Sequence, residues 1–373
     1  MNARWNSTGL LCAAGLALVM AAGAESRAQI PEGFEMVRLT GSALHSRPDI
    51  NNRSEIMWSE SYPPLVSDIY LFSRGIVQKL TDDSYYDVAA RINDHGDYAY
   101  LIARDYFGNS DIAWHLGGKF TIHDSFNSPN AHPDINNSGQ VVWDETFTSD
   151  ASDQRVFFFN GQQVQQITFN GICNHAPRLN NLGEIVISAT NTNLPSGASA
   201  ILLFAEGVVT PLTSVNKLRA GPINNDHGQI VWSEADLDGL NDKIMLWEDG
   251  VASPFVQGND VVGASIGNNG DITYLAWDEP LRLYEQVLFR ASEKVFYHLP
   301  DLGLSHGAWA AINDCGELAW LARPLNDGDT VVLVLRRIAP NGDFNHDCRI
   351  DAYDFSILEN CFTGPDAGPA DGL

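Results

Sequence analysis

Apolar and polar positions along the chain follow a pattern that returns every 42 to 46 residues. PDINNRSEIMWSE begins at Pro48 and PDINNSGQVVWDE at Pro133. Looser copies are ARINDHGDYAYLIAR from Ala90, PRLNNLGEIVISAT from Pro177, PINNDHGQIVWSE from Pro222, SIGNNGDITYLAWDE from Ser265 and AINDCGELAWLAR from Ala311. The apolar residue ahead of each polar turn reads Ile50, Ile92, Ile135, Leu179, Ile223, Ile266 and Ile312, at intervals of 42, 43, 44, 44, 43 and 46. Asn-Asn or Asn-Asp before Gly is turn chemistry, since these residues reach the left-handed region at low cost. The glycines are Gly96, Gly139, Gly183, Gly228, Gly270 and Gly316, with Ser54 the one departure.

Each turn leads into a β-branched and aromatic run, which predicts a strand. The fourth residue past the glycine column is Trp58, Tyr100, Trp143, Ile187, Trp232, Tyr274 or Trp320. A second run follows, as in DIYLF from Asp68, RVFFF from Arg155, AILLF from Ala200 and KIMLW from Lys243. A third ends in an apolar-Thr pair: Leu80-Thr81, Ile167-Thr168, Leu212-Thr213. With a short strand ahead of the turn, each unit holds four strands in about 43 residues, the signature of a propeller blade. The seventh unit runs from ELAWLAR and TVVLVLRR into Ala339-Pro340 without an outer strand, whereas Phe34–Thr40 ends in the same Leu-Thr pair ahead of the first turn. The expected fold is therefore all-β: a seven-bladed β-propeller over 34–338, closed by its N-terminal strand, with a small calcium loop-helix segment behind it.

The unit order resembles the TolB-type propeller repeat, a relative of WD-type repeats, over about Phe34 to Ile338, although INNxG stands where that family has a Ser-Pro-Asp-Gly turn. The resemblance implies a fold; its members serve binding, scaffolding and, with further domains, catalysis.

After Pro340 the chain reads NGDFNHDCRIDAYDFSILENCFTG. Asp343, Asn345, Asp347, Arg349, Asp351 and Asp354 occupy positions 1, 3, 5, 7, 9 and 12 of an EF-hand-like loop. Hard oxygens at this spacing surround Ca²⁺, with the Arg349 carbonyl at position 7. Phe355, Leu358 and Phe362 follow at helical spacing. The segment 341–364 resembles a single dockerin repeat, which implies calcium and a cohesin-like or other extracellular protein partner. Cys348 stands in place of the usual turn glycine, dockerins carry two such repeats, and 365–373 is linker-like.

Charge and the N-terminus narrow the setting. The 22 basic and 47 acidic residues give a formal charge of −25, which repels nucleic acid and anionic lipid. Arg4, the apolar stretch Leu10–Ala22 and Ala22-Gly23-Ala24 form a secretory signal over 1–24, with Ser26-Arg27-Ala28 as a second cleavage candidate. The expected product is a monomer, secreted, at the cell surface or in the periplasm, with no transmembrane segment in the mature chain. Four cysteines would remain, Cys173, Cys315, Cys348 and Cys361, too few for a disulfide scaffold.

The remaining constellations are weak. Gly303-Leu304-Ser305-His306-Gly307 matches G-x-S-x-G, but falls between an outer strand and the next blade rather than on a strand–helix elbow. The recurring Trp column reads as inter-blade core before a sugar platform. Glu60, Glu145, Glu234 and Glu279 read as solvated strand ends, and Asp236–Asp242 as an ordinary hairpin loop. His45, His132 and His175 lie near the innermost strands at unequal offsets. No catalytic set emerges. The expected function is non-catalytic binding of a protein or glycan. The alternatives are an exported polysaccharide-degrading enzyme with its site at the channel mouth, or a structural surface module.

Overall fold

The computed structural model describes residues 29–62, 66–104, 109–123, 130–147, 152–169, 173–190, 197–258, 260–300, 304–306, 310–324, 329–338 and 352–363. Among them the chain is all-β, with a single helix, Ala352–Thr363. Successive strands pair antiparallel in the order they occur, as in the run Leu218–Asn224, Ile230–Ala235, Lys243–Glu248 and Val251–Gln257.

The Asn turn explains the repeat. The Asn136 side-chain oxygen accepts the amides of Ser138 (3.1 Å) and Gln140 (3.0 Å), while Gly139 follows at φ 69°. Its Nδ2 donates to Gln140 Oε1 at 2.7 Å and, across to the next unit, to the Asn180 carbonyl at 2.9 Å. One side chain thus folds its own hairpin and straps it to a neighbour. Equivalent straps run from Asn51, Asn93, Asn180, Asn225 and Asn313 to the carbonyls of Asn93, Asn136, Asn225, Gly267 and Asn51. The last joins residues 262 apart, linking the last turn to the first, while Gly267, lacking a side chain, makes no strap of its own. Ser54, where the glycine column fails, still reaches φ 57°, and its hydroxyl donates to Glu317 at 2.6 Å.

The straps correct one alignment. Ile223 is not the counterpart of Ile135; Asn224 is, because Asn225 makes the strap and Gly228 the left-handed turn. In register, Asn224 faces Ile230 as Ile135 faces Val141. The run Ile223-Asn224-Asn225-Asp226 offers two I-N-N-like frames, and the hydrogen bonds select the later one.

The N-terminal strand Phe34–Arg38 pairs antiparallel with Val331–Arg337, from Phe34↔Arg337 to Arg38↔Leu333. The apolar-Thr pair has a mechanical role. The Thr81, Thr168 and Thr213 hydroxyls accept the amides of Ile69, Val156 and Ile201, each 12 residues upstream. Thr40 does the same for Val332 at 2.9 Å. A side-chain hydroxyl thereby satisfies an amide that the ending outer strand leaves open.

Trp58, Trp143, Trp232 and Trp320 are each 2% exposed or less, and Tyr100, Ile187 and Tyr274 are buried in the same column. Trp143 stacks on Phe157 and packs beside Trp114, with centroids 6.0 and 5.9 Å away. This column is core. Truncating such a tryptophan costs on the order of 3–5 kcal/mol.

The central channel as candidate site

Five of the inner strands carry a break in register two or three residues before the turn. It falls between Val88 and Arg91, Ala131 and Asp134, His175 and Arg178, Ala220 and Ile223, and Val262 and Ser265. Inside each break one residue takes positive φ: Ala89, His132, Ala176, Gly221 or Gly263. A bulge of this kind re-aims the side chain that follows it. Here that side chain lines a central cavity of about 130 Å³, which receives one such residue from every unit: Asp49, Arg91, Asp134, Arg178, Ile223, Ser265 and Ala311.

Around the channel this tier is charged on one side only. Asp, Arg, Asp and Arg follow one another over the first four units, and Ile, Ser and Ala complete the circle. Arg47 adds a third guanidinium to the same cavity. Each carboxylate commits one oxygen to a neighbouring unit: Asp49 accepts the Ile92 amide and Asp134 the Leu179 amide, both at 2.9 Å. The arginines stay farther off, with Arg91 Nε and Arg178 Nη1 each 3.9 Å from Asp134 Oδ1. Arg178 Nη1 is buried and makes no hydrogen bond. Burial first, then the mutual repulsion of the guanidiniums, lowers Arg47 to about 9 and Arg178 to about 10. Burial raises the Asp49 carboxyl above its ordinary range. Three cations face two anions in a confined space, so the tier is electropositive within a chain of charge −25.

Next to it, a second cavity of about 190 Å³ is lined by the turns of all seven units. Its defining residues are Asn52, Asp94, Asn137, Asn181, Asp226, Asn268 and Asp314. Each donates its backbone amide to the side-chain oxygen of the next at 2.7–2.8 Å, and Asp314 returns to Asn52. Asp94 Oδ2 accepts from Asn52 and Asn137, Asp226 Oδ2 from Asn181 and Asn268, and Asp314 Oδ2 from Asn268 and Asn52. No two Asp are neighbours, and every Asp oxygen in the circle already accepts a hydrogen bond. This tier is a self-satisfied clamp rather than a ligand shell.

The other sequence candidates do not converge on the channel. His132 Nδ1 lies 2.9 Å from Asp144, His175 Nε2 3.1 Å from Thr190, and His45 Nδ1 2.9 Å from the Thr330 carbonyl. Among the described residues no group of three or more His, Cys, Asp or Glu could hold a metal ion. Glu145 is not a solvated strand end: it is 5% exposed and accepts the Trp143 indole N–H at 3.0 Å, with His123 at 3.1 Å. Glu234 is paired with Arg219 at 2.8 Å. Leu304–His306 forms a strand against Leu318–Pro324, so Ser305 sits on an inner strand and not in a link between blades; Gly303 and Gly307 lie outside the described residues. Within Asp236–Asp242, Asp236 accepts the Gly239 amide and the Asn241 side chain, as in an ordinary hairpin.

Of the six proposed calcium ligands, Asp343, Asn345, Asp347, Arg349 and Asp351 lie outside the described residues. Asp354 is described, in the first turn of the helix Ala352–Thr363 and 1% exposed. A buried carboxylate at a helix start fits position 12 of such a loop. Phe355 beside it is 64% exposed and Leu358 half-buried. Among the described residues no helix is long and apolar enough to cross a membrane.

No protein-family model matches the sequence, and no curated protein matches it. Likeness is found among solved structures. The β-propeller domain of the Trilobed protease from Pyrococcus furiosus superposes at TM-score 0.58 with 10% identity, over 81% of this chain and all (100%) of that one. Its topology is an open velcro, whereas here the first strand pairs with the last. Acylaminoacyl peptidase from Pyrococcus horikoshii aligns at 0.58 with 14% identity, over 80% of this chain and 52% of its own. A puromycin hydrolase S511A mutant complexed with PGG aligns at 0.58 with 12% identity, over 79% and 53%. This chain spans about half the length of the two peptidases. TolB from Acinetobacter baumannii superposes only at 0.46, too loose to carry an argument. At these identities the likeness shows a β-propeller fold and nothing of activity.

Proposed function

We propose that this chain is an exported, non-catalytic β-propeller of seven blades that binds a protein or glycan partner at its central channel. The observation that carries the reading is the half-charged tier. A ring held together only for its own sake has no need to bury three guanidiniums beside two carboxylates, since burying charge costs free energy unless it is well paired. The Asn straps and the Asn/Asp circle already close the ring without them. Seven turns with seven inner residues around one cavity support the blade number, and Phe34–Arg38 supplies the outer strand of the last blade.

The tail over 341–364 binds one Ca²⁺ in this reading, through Asp343, Asn345, Asp347, the Arg349 carbonyl, Asp351 and Asp354, and attaches the propeller to an extracellular assembly. The leader over 1–24 directs export. Partner capture from the native secretome, paired with a glycan array, tests the binding role. Turnover of a polysaccharide by the purified chain, with no partner retained, would favour the exported carbohydrate-active enzyme instead; neither turnover nor retention leaves a structural surface module. Calorimetry of calcium binding to wild type and Asp343→Ala tests the tail, and equal affinity in the two defeats that assignment.

A further inference from the structure

We infer that the charged tier of the channel is a receptor for a single carboxylate, gripped by Arg91 and Arg178 and presented by a ligand that is otherwise neutral or basic. The inference rests on the binding reading above and names the group that is bound.

Three features point to an oxyanion. Among the residues lining the cavity the guanidiniums of Arg47, Arg91 and Arg178 outnumber the carboxylates of Asp49 and Asp134 by one. Arg178 Nη1 is buried and hydrogen-bonded to nothing, at 3.9 Å from the nearest carboxylate oxygen. A buried guanidinium N–H without an acceptor is costly, and an incoming oxygen removes that cost. Asp134 does not supply it: its nearer oxygen, Oδ1, stays 3.9 Å away, while the Leu179 amide holds the carboxylate through Oδ2. The bulges before Arg91 and Arg178 aim both side chains inward, so the donors are fixed by backbone rather than by chance rotamers.

Size and field select the class. A space of about 130 Å³ between these side chains suits a small headgroup. One surplus charge matches one carboxylate. A polyanion must also approach a chain of charge −25, and that field disfavours uronate polymers and nucleic acids alike. A peptide C-terminus carries one carboxylate on a neutral chain and meets both conditions. The neutral arc of Ile223, Ser265 and Ala311 leaves room opposite the arginines for its apolar stem.

The test uses the full chain and measures thermal shift and calorimetric binding at constant ionic strength. The probes are acetate, an acetylated dialanine with free terminus, the same peptide amidated, and trigalacturonate. Saturable binding is expected for acetate and the free-terminus peptide, none for the amide, and weaker binding for trigalacturonate. Arg178→Gln is expected to weaken the free-terminus peptide about tenfold or more, the scale of 1.4 kcal/mol. Since that variant also relieves charge repulsion, Ser265→Asp is the second arm: its own carboxylate should raise the melting temperature and abolish the acetate response. Equal binding of free and amidated peptide, or an acetate response untouched in both variants, overturns the inference. A partner retained from the secretome by wild type and by Arg178→Gln alike would sink the carboxylate receptor while leaving the binding reading intact.

Discussion

The Thr40 hydroxyl accepts the Val332 amide at 2.9 Å, joining the N-terminal strand to the last long strand across 292 residues of chain. The same bond elsewhere, as from Ile201 to Thr213, spans 12 residues. The chemistry is identical and only the loop it closes differs. Thr40→Val and Thr213→Val should therefore each cost about 1–2 kcal/mol by urea unfolding, because each leaves a shielded amide without its acceptor. Deleting the chain through Thr40 removes the whole outer strand and exposes the edge of Val331–Arg337. That truncation should lose the cooperative transition altogether. A truncated chain that unfolds like wild type would disprove the closing role of Phe34–Arg38.

The Asn/Asp circle makes a prediction with a built-in rescue. Asn181→Asp replaces the donor to Asp226 Oδ2 by a second carboxylate. The loss should be about 2–3 kcal/mol at neutral pH, from a missing bond and like-charge repulsion. Repulsion raises the folded-state pKa of the pair, so the deficit should shrink as pH falls toward 4. The double variant Asn181→Asp/Asp226→Asn restores a donor opposite each acid and should recover most of the stability. Additive losses in the double variant would refute the pairing.

Asp87 offers a separate pH handle. It is fully buried on the inner strand Tyr86–Ile92, and burial, with Asp83 and Asp68 nearby, raises its carboxyl to about 7. The folded state thus holds the proton more tightly than the unfolded chain. The group is destabilising above both values, and that cost develops as pH rises from about 4 to 7. Asp87→Asn should raise the melting temperature at pH 8 and have little effect at pH 4. The difference between variant and wild type should grow between those limits; a flat difference would count against it.

Cys315 sits in the turn of the last unit and is disulfide-bonded, whereas Cys173 is free. If the leader is cleaved as proposed, the sequence leaves Cys348 and Cys361 as the cysteines able to pair with it. Peptide mapping without reduction should recover Cys315 joined to one of them, and such a peptide would tie the proposed calcium-loop segment to the turn beside Asp314. Reduction should then lower stability by about 2–4 kcal/mol. Recovery of Cys315 as a free thiol in protein purified without reductant would contradict this.

The repeat was legible because each unit carries the same turn, and turns are written in a few obligate residues. The Thr at the end of the outer strand was visible too, although its partner, an amide on the strand before, was not. Asn224 was misread since two adjacent asparagines permit two frames, and only the straps decide between them. The arginines of the channel left no periodic mark. Arg91 and Arg178 occupy a column whose other members are Asp, Ile, Ser and Ala, and a column of mixed chemistry looks like noise until the bulges show that it faces one cavity. Reading that column across all seven units, one residue ahead of the anchor, is the signal that would have found it. Glu145 looked solvated because its burial depends on Trp143 and His123, side chains whose convergence no local pattern announces.

A closed circle with an odd number of members cannot be filled by two kinds in strict alternation. Somewhere two of a kind must touch, and here the defect is placed where it does least harm, between the uncharged Asn137 and Asn181. That parity defect gives an otherwise pseudo-symmetric circle one distinguishable seam. A unit bearing Asp at this position, inserted between Asn137 and Asn181, would make an eight-membered circle in which acid and amide alternate without fault. The same insertion anywhere else would leave the Asn–Asn seam in place and set two acids side by side.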